Sequence, residues 1–298
     1  MEKSDSTDAR ELLQPSRQIV SARRRAWRSF TRNRTAVVGL VLIAILTVLA
    51  VAAPVIAPHD PLSQSAVDRL APPSGEHWMG RDHYGRDIWS RVLYGARIAL
   101  IVGVASVAFG GAMGTVMGVV AGFKGGRTET VLMRITDVLL AFPDLITGLL
   151  ILAVLGSGLW KMIFAIGITI APRFARIAYG ATLSIKEMDY IQAARAVGVK
   201  DMRMLGLHVL PNMMGDILVL GSLWMASAIR LEASLSFIGL GVSPPTATWG
   251  QMIRDGTHQL AVQPWFAFAP GIALLIAVFA FNLAGDGLRD VLDPRAQT

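Results

Sequence analysis

"YIQAARAVGVKDMRMLGLHVLPN", residues 190–212, is polar and basic, yet it lies between two long apolar runs. Its alanine-rich first part, Tyr190 to Val197, favours a helix. Gly198 is a natural stop because glycine accepts a left-handed backbone. Asp201 suits the cap or first turn of a second helix, and Pro211 marks a break before the next apolar run. The expectation is two short helices at an angle, with the small residues Ala193 and Ala194 on the first. Such a knob suits docking into a groove on a second protein. A passive connector fits the same residues equally, so the flanking sequence must decide what it serves.

Those flanks read as membrane spans. Of 298 residues, 53% are hydrophobic and only 16% charged, with a mean hydropathy of +0.51. Soluble domains carry about a quarter charged residues, so the balance is that of a membrane protein. Residues 36–57 hold no charge and are long enough to cross a bilayer, which takes about 20 residues. A secretory leader has an apolar core of only about 7–15 residues, so this run reads as an uncleaved anchor. Further runs cover 98–123, 135–160 (with Asp137, Pro143 and Asp144), 162 to beyond Arg173 and Arg176, 217–240 (with Arg230 and Glu232), and 265–284. The expectation is an all-α integral membrane protein with six transmembrane helices and no soluble domain. Its organisation would be a tail at 1–35, the anchor at 36–57, an outer segment at 58–97, a main transmembrane domain at 98–288, and a tail at 289–298.

The basic residues choose the orientation. Nine of the 28 fall in residues 1–35, and with the N-terminus inside, the inner segments hold 20 and the outer ones 7. Lys and Arg are disfavoured on the translocated side, so both termini and the 190–212 knob are expected in the cytoplasm. The net charge of +7 is spread over loops in this way, which argues against nucleic-acid binding. Five basic residues in the outer segment 58–97 strain the rule mildly. Long segments, however, cross largely regardless of charge.

Two outer segments carry some pattern. Glu76 to Leu100 places Trp78, Tyr84, Trp89 and Tyr94 before the second span, with Asp87 and Arg91 at helical i,i+4 spacing. This reads as a short amphipathic helix at the membrane interface. Gly241 to Trp265 reads as a Pro/Gly-rich loop that dips toward a cavity.

No catalytic constellation stands out. His59, His77, His83, His208 and His258 are scattered, no HExxH or GxSxG occurs, and His77 and His83 read as surface residues rather than metal ligands. Without cysteine, disulfide and thiolate chemistry is excluded. The only Lys-Ser is Lys3-Ser4, with no glycines before it, so no phosphate-cradling loop is present. If the protein works against a gradient using ATP, another chain must hydrolyse it. Gly110, Gly114, Gly118 and Gly122 recur every four residues and share one helix face, where backbones approach closely. The partner on that face is either another helix of this chain or a second subunit. Arg230 and Glu232 are costly in a bilayer, and Asp144 follows Pro143; each is a candidate for the translocation path or for a structural role.

A family resemblance narrows these alternatives. "QAARAVGVKDMRMLGLHVLP" resembles the EAA loop of ABC importer permeases, spanning about 186–212 here, with Gln192, Ala193, Ala194, Gly198, Leu210 and Pro211 at the family spacing. Gln192 replaces the family glutamate, and His208 to Asn212 resembles the His-x-Leu-Pro-Asn of peptide-type permeases. "MGRDHYGRDIWSRVLYGARIAL" (79–100) is similar to a region of the C-type dipeptide/oligopeptide permeases, from which Arg81 and Ala99 depart. "EASLSFIGLGVSPPTATWGQMIRDG" (232–256) is similar to the segment after that family's fifth span. Together the matches cover most of the chain from Arg34 onward.

The resemblance implies a MetI-like importer-permease bundle, N-in and C-in, with cytoplasmic coupling helices. Gln192, Ala193, Ala194, Gly198, Asp201, His208, Leu210 and Pro211 would then form the ATPase-coupling surface. The implied role is the permease subunit of an ATP-driven importer in a bacterial cytoplasmic membrane, taking up di- or oligopeptides, or nickel or an opine. The implied partners are a second permease, two ATPase subunits holding ATP and Mg, and an extracytoplasmic solute-binding protein, periplasmic or lipid-anchored. The chain itself would be non-catalytic and bind no cofactor. The rival from another class is a self-sufficient secondary transporter, for which Asp144 and Glu232 are the intramembrane acids of note. A polytopic membrane enzyme is weaker still, because no nucleophile–base pair is visible.

Overall fold

The computed structural model describes residues 33–292. Of the tails expected at 1–35 and 289–298, residues 1–32 and 293–298 lie outside the described residues, whereas Arg34 already opens the first helix and the last helix continues to Leu292. Among the described residues the chain is helical, and its β pairing is a single antiparallel bridge, Arg81 to Asp87. The helices are α1 (Arg34–Ile56), α2 (Ile88–Lys124), α3 (Gly126–Leu140), α4 (Asp144–Leu155), α5 (Leu159–Lys186), α6 (Asp189–Ala196), α7 (Asp201–Met204), α8 (Leu210–Ile238), α9 (Trp249–Thr257) and α10 (Trp265–Leu292). Five helical runs are long and apolar enough to cross a membrane: α1, α2, α5, α10 and the run from Asp201 to Ile238.

The third span departs from the expected straight run at 135–160. It is a broken pair, α3 and α4, bent by 99° at Ala141–Pro143. Proline lacks an N–H and pushes the residue before it out of helical conformation, so Phe142 cannot continue α3. Pro143 takes φ −57°, ψ 137°, and α4 starts afresh at Asp144.

The second span begins earlier than Ile98, at Ile88, and the expected interfacial helix is absent. Residues 76–87 form a loop, and Ile88 to Leu100 are the first turns of α2. The reason lies in the local chemistry. Gly80 and Gly85 hold φ of +73° and +76°, which a helix excludes. Asp82 accepts from the backbone N–H of Tyr84 (2.8 Å) and Arg86 (3.0 Å), stabilising a turn instead. Asp87 caps α2 by accepting from Ser90 N–H at 2.7 Å.

The i,i+4 pairing of Asp87 with Arg91 is also not formed. Arg91 turns to Asp82 (3.6 Å) and donates to the Pro61 carbonyl (3.1 Å), while Arg86 Nε donates to Asp82 at 2.6 Å. Arg81 pairs with Asp68. Three of the outer segment's five basic residues thus lie against acids, two of them sharing Asp82, so two of the five charges are balanced locally. His77 is buried rather than a surface residue, with Nδ1 donating to Asp87 at 2.8 Å.

Asp82, fully buried, therefore holds two buried guanidinium groups. Asp82→Ala would leave them without an acid, a loss of about 3–5 kcal/mol for breaking a buried ion pair. The thermal midpoint of the purified protein should fall sharply, and an unchanged midpoint would show that Asp82 contributes little.

The 241–265 segment, expected to be irregular, contains α9. Thr248 caps it by accepting from Gln251 N–H. Buried Trp249 donates from Nε1 to the Val92 carbonyl at 2.9 Å, its ring filling the space above Gly95. Gly250 lies against the Ala233 carbonyl, so α9 is pressed onto both α2 and α8. At the other edge α1 packs on α10, with Gly39 against Ala284 and Gly287 against Ala36. The opposite side of α1, including Val48, Val51 and Val55, is exposed and apolar, as a lipid-facing side should be.

Candidate functional site

The 190–212 stretch folds as two short helices, α6 and α7, set beneath the ends of α2 and α5. Ile191, Met204, Val209 and Met213 are fully buried against Val119, Phe123 and Ile185. Gly198 holds φ +81° with open space around it, and its N–H donates to the Arg195 carbonyl at 3.0 Å. Lys200 precedes α7, whose first residue is Asp201. Of the two small residues expected on the outer face, Ala193 is exposed, whereas Ala194 turns toward the knob's own core. Gln192 is exposed and donates to the Glu187 carbonyl. The outward surface also presents Val197 and Met202, 81% and 80% exposed.

Pro211 does not break the chain as expected. The helical run continues from Asp201 to Ile238 through a π-helical turn at Leu205–Val209, and Pro211 sits in the first turn of α8. A π turn displaces the carbonyl that the proline ring would strike and leaves no N–H missing from the ladder. Asn212 fastens this corner by donating to the His208 carbonyl (2.6 Å) and to Tyr190 Oη (3.1 Å). The His208 and Tyr190 rings meet edge to face at 6.1 Å.

At Gly198 a side chain meets no neighbour, so substitution costs only the left-handed backbone, about 1–2 kcal/mol. Gly198→Val should therefore loosen the knob without unfolding the spans. Trypsin should cut faster at Arg195, Lys200 or Arg203. Unaltered cleavage kinetics would contradict this.

The glycine ladder meets a helix of its own chain. Cβ atoms at Gly110, Gly114 and Gly118 would fall on the carbonyl oxygens of Gly167, Ala171 and Ala175, and one at Gly122 would lie 2.9 Å from Thr182 Cβ. All four contacts are with α5, the helix against which α2 packs most extensively. Alongside, α5 is tied to the broken pair by polar rungs: Arg173 to Asp144 (2.7 Å), Arg176 to Asp137, and Tyr179 to Glu129.

The three candidate path residues separate. Asp144 and Arg230 line one cavity of about 160 Å³ with Trp224, Ser227 and Ser234. Arg173 holds Asp144 while its guanidinium lies 4.4 Å from the centre of the Trp224 ring. Glu232 is buried away from this cavity, accepting from Ser236 Oγ at 2.7 Å. Among the described residues no ion pair joins Arg230 and Glu232. Sequence reading did not assign roles to Arg173 or Trp224. Arg173 carried the signal of a charge inside an apolar span, whereas Trp224 carried none.

The outer loop brings His59, Glu76 and His77 within metal-ligand reach of one another. His77 cannot serve as a ligand as it stands. Its Nε2 accepts from Arg81 at 2.6 Å and its Nδ1 is held by Asp87, so no lone pair remains free.

Comparisons with known proteins agree with this architecture. Residues 114–298 match the family "binding-protein-dependent transport system inner membrane component", and residues 21–73 match the N-terminal TM domain of oligopeptide transport permease C. The chain is similar to the oligopeptide transport system permease protein OppC of Bacillus subtilis, 41% identical over 94% of this chain and 92% of that one. It is 40% identical to the glutathione transport system permease protein GsiD of Pectobacterium atrosepticum over 92% of each chain. Among solved structures it resembles the inward-facing MetNI methionine ABC transporter, with a TM-score of 0.56 at 21% identity. That match covers 68% of this chain and 97% of the other. A broken third span, an α2–α5 glycine seam and a two-helix knob therefore coincide with a family match over more than half the length: the chain belongs to the binding-protein-dependent transport system inner membrane components.

Proposed function

We propose that this chain is one of the two permease subunits of an ATP-driven importer for di- or oligopeptides in a bacterial cytoplasmic membrane. The observation that carries the reading is the exposed knob of α6 and α7, presenting Val197 and Met202 from a chain with no phosphate-binding loop. A protruding, mostly polar surface with two exposed apolar side chains at its tip suits a groove on another protein. The partner of that knob is an ATPase subunit that supplies the energy. The second permease completes the solute path, and a solute-binding protein delivers cargo to the outer mouth. The named cargoes of the relatives, oligopeptide and glutathione, support a small peptide as the solute.

Coupling follows from the rigidity of the knob. Ile191, Met204 and Val209 key it into the inner ends of α2 and α5. A displacement of the knob by the ATPases therefore moves the helices rather than bending a loop, as alternating access requires. A proton-driven carrier is disfavoured because Asp144 is already held by Arg173 and Glu232 lies off the cavity.

The decisive measurement is uptake of radiolabelled tri-alanine by vesicles containing the complete importer. Uptake should require ATP and survive collapse of the proton gradient; uptake driven by the gradient alone would overturn the reading. The orientation has its own test. Alkaline phosphatase fused after Thr298 should be inactive, since the basic residues place that end inside. An active fusion would reverse the topology.

A further inference from the structure

Arg230 is an exposed arginine within a membrane span, and among the described residues no acid pairs with it. It lies eight residues before the end of α8 at Ile238, about 12 Å in from that end at 1.5 Å per residue. Facing lipid at such depth would cost roughly 3 kcal/mol or more. An arginine near a helix end usually escapes by extending toward the headgroups. Arg230 does not: its Nη2 donates to Ser227 Oγ at 3.3 Å, three residues toward the inner end of α8. The guanidinium therefore points toward the middle of α8, beside the cavity it lines with Asp144. That acid is occupied by Arg173, which itself rests on Trp224, so the cavity keeps one uncompensated positive charge.

Arg230 also borders a second, apolar pocket of about 340 Å³, lined by Leu145, Phe237, Ile238, Ile253 and Leu274. A cation between a small cavity of mixed polar and apolar lining and a larger apolar one matches a carboxylate with an adjoining side chain. Small-molecule sites run to about 300–1,000 Å³ and bury most of their ligand, whereas the mixed cavity here is smaller than that and the apolar pocket is partly open. This chain therefore supplies half a site, which the second permease would close. We propose that Arg230 receives the terminal carboxylate of the transported peptide, with the apolar pocket taking the side chain beside it. Guanidinium and carboxylate can form two parallel hydrogen bonds, which a neutral amide cannot reproduce. The proposal rests on the peptide reading above. A phospholipid phosphate offers related chemistry, and the test separates the two sources.

The experiment uses the complete importer with its binding protein in vesicles, comparing tri-alanine with tri-alanine amide. The binding protein's own preference cancels when each variant is divided by wild type, probe by probe. Arg230→Gln should lower tri-alanine uptake about 10- to 100-fold, the worth of a charge-assisted hydrogen bond, while uptake of the amide changes little. Arg230→Lys should restore part of the loss, because it keeps the charge without the paired geometry. The amount of the Arg230→Gln chain in the vesicles should match wild type, since Arg230 is exposed. Equal losses for both probes would overturn the site, as a structural or lipid-anchoring role predicts. No loss for either would overturn it too. Wild-type protein that imports neither probe would overturn the peptide reading and the site with it.

Discussion

Leucine at Gly114 or Gly118 should leave little or no assembled protein in the membrane. At each position a Cβ would fall on a carbonyl oxygen of α5, Ala171 at the first and Ala175 at the second. Backbone cannot step aside as a flexible side chain can, so the two helices must separate. Overpacking of a well-filled core already costs about 1–3 kcal/mol when only side chains shift, and here the longest packed seam in the molecule has to open. The same separation would pull on the polar rungs that bind α5 to α3 and α4. Gly180 and Gly215, which also lie in long helices but have no atom within 4 Å of a built Cβ, are the controls: leucine there should be tolerated. Size-exclusion profiles of fluorescent fusions would read the amount of monodisperse protein. Normal profiles for both ladder variants would mean that the seam can open at little cost.

The second large effect is expected at the knob, and of the opposite kind. Val197→Asp combined with Met202→Asp should reduce ATP-dependent uptake more than tenfold while leaving expression and the thermal midpoint near wild type. Both side chains are about four-fifths exposed, so a charge there costs the fold almost nothing. Buried against an ATPase, each would be an unpaired carboxylate in an apolar contact, and central contacts of this kind are worth about 2 kcal/mol or more apiece. Co-purification of the ATPases should fail in parallel. Ala194→Arg is a less clean test than its place in the EAA-like pattern suggests, because Ala194 packs inward and the substitution would also disturb the knob's core. Wild-type uptake by the double aspartate variant would show that the ATPases grip a different surface.

The apolar runs, the two short helices around Gly198 and the glycine ladder were legible in the sequence because each rests on local physics. Hydrophobic length, glycine's left-handed freedom and the 3.6-residue period need no knowledge of neighbours. Misreadings arose where one local signal had two outcomes. The Asp87/Arg91 spacing suited a helical pair, yet Asp82 in the preceding turn offered Arg91 a buried partner, and the aspartate was left to cap α2. Pro211 signalled a break, but a π turn absorbed it. Pro143, read as part of one continuous run, is where the chain did turn, by 99°. What separates the two prolines is the packing around them, which sequence does not display. The partner of the ladder, the grouping of Asp144 with Arg230 and the exclusion of Glu232 were likewise fixed by tertiary structure alone. Each depends on how a helix is rotated about its axis, and that rotation is set by the sum of contacts with α2, α5 and α9. Arg230 and Glu232 are two residues apart and so point to different sides of α8, but only the neighbours of α8 decide which side becomes cavity and which becomes core.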